Sequence, residues 1–208
     1  MNLYAGIGGN RKLWGDEHQV TAVELNPQIA TIYKNFFPND EVIVADAHQY
    51  LLEHYAGFDF IWSSPPCPTH SRIRNVAGVG RGQNEPVYPD MALYQEVIFL
   101  NQVYNSSGTD FHGRFVVENV ISYYEPLIRP QVFAKHYWWA NFPIAEREIS
   151  TRGHHDTEAD LQEIKGFDLS KYGGINKRLL LRNCVEPHIG KHILDWAMKP
   201  WTPNLTLL

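Results

Sequence analysis

The chain has 208 residues, 44% hydrophobic and 20% charged, the make-up of a globular protein with a substantial core rather than of a disordered or fibrous one. No run reaches the ~20 apolar residues that span a bilayer, the first residues lack the basic segment and apolar core of a secretory signal, and two distant cysteines argue against a disulfide framework, so a reducing cytoplasm is expected. A formal net charge of −5 excludes a globally basic nucleic-acid binder and leaves only a local patch for such contacts.

In chain order, residues 2–5 read as a short apolar strand that ends in Gly6-Ile7-Gly8-Gly9. Residues 19–24 read as a second strand. A helix follows over 27–37, with Asn26 as its cap and Pro27 at its first position. Residues 41–45 predict a third strand and 49–54 a short helix. The apolar run 58–62 predicts a fourth, buried strand, which feeds Ser63-Ser64-Pro65-Pro66-Cys67-Pro68-Thr69-His70-Ser71. Leu93, Val97, Leu100 and Tyr104 give helical spacing to 91–104. A fifth strand over 113–117 runs into Glu118-Asn119-Val120. Residues 132–142 are aromatic and strand-like, 149–172 read as an irregular polar insert, and 183–196 as a final helix. Strands separated by helices predict an α/β fold of Rossmann-like type: a mostly parallel twisted sheet with helices on both faces.

Cys67 then lies just past a strand's carboxyl end, where open α/β sheets bind ligands. Its bracketing prolines and loop position suit a nucleophile better than a buried structural thiol. The glycine turn lets backbone approach a ligand closely. Glu24 can accept from ribose hydroxyls, and Asp46 can take an adenine amino group. No Gly-Lys-Ser/Thr follows the glycines, which disfavours a phosphate-cradling loop. An adenosine-type cofactor remains, either a dinucleotide or S-adenosylmethionine. Glu118 ends the strand expected beside the Cys67 strand. A thiolate and a carboxyl group facing one pocket suit addition to an electron-poor ring, with the carboxyl group serving the ring nitrogen that gains charge. Residues 69–89, with Gly78, Gly80 and Gly82 and few apolar side chains, read as a lid or binding loop. Cys184, His188 and His192 share a helical face, but a metal site needs three or four convergent ligands, and none is assigned.

Four segments, in order, make the chain resemble the cytosine-5 DNA methyltransferase family. Tyr4-Ala5-Gly6-Ile7-Gly8-Gly9 is similar to its first motif, and Pro65-Pro66-Cys67 to its nucleophile motif. Glu118-Asn119-Val120 matches its Glu-Asn-Val motif, and Asn183-Cys184-Val185-Glu186-Pro187 is similar to its last motif. The resemblance implies that Cys67 adds to C6 of a flipped-out cytosine in DNA, that Glu118 contacts N3, and that S-adenosylmethionine supplies the methyl group that makes 5-methylcytosine. It places Tyr4, Gly6, Ile7, Gly8, Gly9, Glu24, Leu25, Asp46, Ala47, Pro66, Asn183 and Cys184 around the cofactor. Asn119, Val120, Arg72, Arg74, Arg81 and Lys135 would face the substrate, the three arginines giving the 69–89 loop a local positive patch. Residues 1–144 would form the catalytic core, 145–180 a short target-recognition insert, and 181–208 a segment completing the core.

The chain also departs from the family. Pro68 replaces the usual Gln after the nucleophile, and Ser64-Pro65-Pro66-Cys67 is closer to the tRNA-methylating branch, so RNA stays open as a substrate. The family's Gln-x-Arg-x-Arg motif is not visible as such; Lys135 and Arg147 are alternative candidates for the place of its arginine. So small a recognition segment predicts short or relaxed specificity, or a protein partner that supplies it, and would suit a bacteriophage enzyme working in its host's cytoplasm.

Overall fold

The computed structural model describes residues 1–72, 87–147 and 157–200. Seven strands form one sheet in the order β3-β2-β1-β4-β5-β7-β6. These are β1 (Asn2–Leu3), β2 (Thr21–Glu24), β3 (Glu41–Val44), β4 (Phe60–Ser63), β5 (Arg114–Val120), β6 (Gln131–Phe133) and β7 (His136–Ala140). The first five in that spatial order are parallel; β7 runs antiparallel between β5 and β6. The fold is the expected α/β one with a mostly parallel sheet. The aromatic segment 132–142 resolves into the β6–β7 hairpin. Its two tip residues, Ala134 and Lys135, have φ of 48° and 62°, the left-handed pair that a two-residue hairpin turn requires.

Side chains alternate between faces along each strand. Leu3, Val23, Ile61, Phe115, Val117 and Trp139 pack on one face with α2 (Ala47–His54) and α3 (Ala92–Asn105). Phe60, Trp62, Val116 and Trp138 pack on the other with α6 (Pro187–Ala197). On this second face a further cluster joins Ala22 to α1 (Pro27–Phe36), α4 (Glu158–Lys165) and α5 (Lys177–Asn183). Helices therefore cover both faces.

The local reasons are legible. Asn26 caps α1 by accepting from the Gln28 and Ile29 amides, with Pro27 at the first position. Within the segment read as irregular, α4 starts on a reciprocal cap between Thr157 and Asp160 and stops at Gly166, whose φ is 69°. Leu161, Phe167 and Leu169 from this segment are buried against Ile32, Tyr33 and Phe37. The helix expected over 183–196 starts later, as α6 at Pro187, because proline disfavours helical backbone at the residue before it; a separate helix, α5, ends at Asn183.

Candidate active site

The strand order reverses between β1 and β4, and the loops leaving these two strands carry the glycine turn and Cys67. Tyr4 leaves β1 at φ 54°, a left-handed value uncommon for a tyrosine. Its hydroxyl donates to Glu96 Oε1 at 2.6 Å. Glu96 is 1% exposed, on the inner face of α3. It also accepts from Ser63 Oγ at 2.5 Å and from His48 Nδ1 at 3.0 Å. One carboxylate thus ties the ends of β1 and β4 to α2. Sequence reading missed Glu96; its signal is an acid three residues after Leu93, on the face that also buries Val97 and Leu100.

In the glycine turn, the Gly6 amide donates to Glu24 Oε2 and the Asn26 amide to Glu24 Oε1, both at 2.9 Å. Glu24 thereby binds the turn to the end of β2 while each oxygen keeps a free lone pair. A Cβ on Gly6 would meet nothing within 4 Å, whereas one on Gly9 would lie 2.4 Å from Cys184 Sγ. Gly6 therefore borders open space, while Ile7, Gly8 and Gly9 are buried. Cys184 is buried beneath Gly9, and burial pushes its thiol up to about 12. Asn183 is exposed at the end of α5. Leu25 and Asp46 are exposed at the ends of β2 and β3, with Asp46 capping α2 through the Gln49 amide and Ala47 buried behind it.

The turn holding Cys67 is clamped on both sides. Asn119, buried on β5, donates from Nδ2 to the Pro65 carbonyl at 3.0 Å, while its Oδ1 accepts from the Val120 amide. On the other side the Cys67 carbonyl accepts from the His70 and Ser71 amides. The His70 carbonyl accepts from the Tyr123 amide, and Ser71 bridges Ser122. Arg72 Nε donates to the Ser122 carbonyl at 2.9 Å. Pro66 is exposed and Cys67 half-buried. Arg74 and Arg81 lie outside the described residues.

Glu118 is 8% exposed near the end of β5. Burial first, and then the Glu118 charge, raise the Cys67 thiol above its ordinary value, partly offset by a backbone hydrogen bond. The two groups therefore feel each other, and any proton on Glu118 eases ionisation of Cys67. Lys135 is exposed at the hairpin tip. Its neighbour His136 brings Nε2 to 3.6 Å from Glu118 Oε1, a placement that sequence reading missed. Among the described residues no group of three His, Cys, Asp or Glu side chains converges as a metal site.

Residues 1–98 match the family model described as C-5 cytosine-specific DNA methylase. The resemblance to the cytosine-5 methyltransferase family is borne out. The matched stretch holds the glycine turn, Glu24, Asp46 and Cys67; Glu118 lies beyond it. Among solved structures, a triple alanine mutant of Spodoptera frugiperda DNMT2 is similar at 24% identity and a TM-score of 0.35, over 58% of this chain. The alignment covers only 34% of that protein's length. No curated protein matches the chain. No helix among the described residues is long and apolar enough to cross a membrane.

Proposed function

We propose that this chain methylates C5 of cytosine in DNA. The observation that carries the reading is the pairing of Cys67 with Glu118 at the ends of adjacent strands, one strand from the glycine turn, with Cys67 inside the family match and Glu118 beyond it. Cys67, as thiolate, bonds to C6 of the cytosine. The displaced electron pair is accommodated at N3, which Glu118 protonates, and C5 becomes nucleophilic. After C5 gains the methyl group, the C5 proton leaves to solvent water, N3 returns its proton to Glu118, and Cys67 is expelled as thiolate, which restores the ring. The base must leave its stack to reach Cys67, at a cost of a few kcal/mol.

S-adenosylmethionine, when bound, supplies an electrophilic methyl group. The residues present fit it. The open space beside Gly6, the free lone pairs of Glu24 and the exposed Leu25, Val44 and Asp46 form a cradle for an adenosine group. Ala47 lies behind Asp46, and Tyr4, Pro66 and Asn183 lie on the strand ends and the last-motif segment assigned to the cofactor. Ile7, Gly8, Gly9 and Cys184 support this cradle from below. Toward the substrate, Asn119 and Val120 hold the floor, with Arg72 and Lys135 at the rim. Residues 145–180 contribute target recognition through their exposed side, since Leu161, Phe167 and Leu169 face inward.

RNA is the second reading, favoured by Ser64-Pro65-Pro66-Cys67. Transfer of labelled methyl from S-adenosylmethionine to duplex DNA, run beside tRNA, separates the two. Label on C5 of cytosine in DNA is expected. Label in tRNA alone would move the assignment to RNA, and label in neither would reject the reading.

A further inference from the structure

Resting on that reading, we propose that His136 is a positioning residue that shares one proton with Glu118, keeping the carboxyl group neutral while Cys67 is ionised. Glu118 pairs with Trp138 across the β5–β7 ladder, and Val120 pairs with His136. Glu118 and His136 are therefore diagonal neighbours on one sheet face, a spacing within reach of long side chains. The His136 ring lies 6.0 Å from the Trp138 ring, and its backbone pairs with Phe133. Nδ1 sits 2.9 Å from the Ala134 carbonyl. A carbonyl only accepts, so Nδ1 carries a hydrogen.

That assignment leaves Nε2 to answer Glu118. At 3.6 Å the two are at ion-pair rather than hydrogen-bond distance, and a bare Nε2 facing an ionised carboxylate would set lone pair against lone pair. One proton between them resolves this, as imidazolium with carboxylate or as imidazole with carboxylic acid. Among the described residues, the titratable and charged groups around His136 are Glu118 from β5, Cys67 beyond Glu118, and Lys135 at the hairpin tip; Trp138 and Phe133 are neutral. The Ala134–Lys135 turn fixes the ring because it supplies the carbonyl that holds Nδ1.

The proton inventory closes. When Cys67 bonds to C6, the one shared proton passes through the Glu118 carboxyl group to N3, leaving Glu118 as carboxylate and His136 as neutral imidazole. When the C5 proton leaves to solvent water and Cys67 is expelled, N3 returns its proton to Glu118, where the pair shares it again. Glu118 is therefore an unprotonated carboxylate only while Cys67 is bonded to C6 and no thiolate opposes it.

The test uses the intact chain without nucleic acid or cofactor. Alkylation by iodoacetamide is followed against pH, and mass spectrometry of peptides assigns the label to Cys67. Burial of Cys184 makes label on that residue a report of unfolding. His136→Gln should slow Cys67 alkylation near pH 7 by about threefold or more, half a pH unit of thiolate fraction. His136→Arg, which carries a fixed cation, should hold or raise the parent rate, and serves as the readout if the Gln variant does not fold. On a Glu118→Gln background, His136→Gln should change nothing. An unchanged profile in His136→Gln, an equal slowing on the Glu118→Gln background, or slowing in His136→Arg as well would overturn the proposal. Because no methyl transfer is measured, failure of this coupling is separate from failure of the methylation reading.

Discussion

His70 shows how closely the residues around the nucleophile are specified. It is 1% exposed, three positions after Cys67, and its Nδ1 lies 2.5 Å from the Tyr124 hydroxyl. Its Nε2 finds no partner of hydrogen-bond geometry among the described residues. Burial lowers its pKa from the ordinary 6.5, with Asp90 opposing less strongly. The unfolded chain therefore takes up this proton more readily than the folded one. Stability is lost as pH falls through 6.5 and continues to fall until the lowered folded value is reached. Urea midpoints at pH 7.5 and 5.5 should show this drop in the parent chain and a smaller one in His70→Gln. Equal drops would assign the pH dependence to other groups. Cys67 shifts in the opposite sense: burial first, and then the Glu118 charge, raise its thiol above the ordinary value, so its reactivity depends on what neutralises Glu118.

At the scale of elements, buried polar joints hold the site in place. Arg11, from the 3-10 turn Asn10–Leu13 after the glycines, donates to both oxygens of Asp40 at 2.9 and 3.0 Å, and Tyr33 of α1 donates to Asp40 Oδ2 at 2.7 Å. The two side chains of the ion pair are 4% and 2% exposed. Removing one partner strands the other charge, so Asp40→Ala should cost about 3–5 kcal/mol in denaturant unfolding. A loss below about 1 kcal/mol would mean that water reaches Arg11. Most of the elements could be read from local chemistry, such as the Asn26-Pro27 start of α1 or the apolar run of β4. The α4 helix was also signalled, by Thr157, Asp160 and Gly166, but the polar surroundings hid a single buried stripe through Leu161. Arg11–Asp40 was not legible, because its partners are 29 residues apart and only the sheet order joins them.

At the scale of the whole molecule, the topology explains how three of the four separated motifs come together. Parallel strands β1, β2, β3, β4 and β5 bring the glycine turn, Glu24, Asp46, Cys67 and Glu118 to the same edge of the sheet. The residues of these three motifs were legible because each sits at a strand end, where local sequence shifts from apolar to polar or glycine-rich. Glu96 and His136 were not, since each acts through a contact made only after folding, across 92 residues for Tyr4–Glu96 and across the β5–β7 ladder for His136–Glu118. The central claim is that Cys67 forms a covalent bond to cytosine in this crevice. The most direct measurement is mass spectrometry of the chain incubated with S-adenosylmethionine and duplex DNA containing 5-fluorocytosine, whose C5 cannot release a proton. A stable protein–DNA adduct mapped to Cys67 is expected, abolished in Cys67→Ala and sharply reduced in Glu118→Gln. An adduct mapped to another residue, or methylation of cytosine that persists in Cys67→Ala, would contradict it.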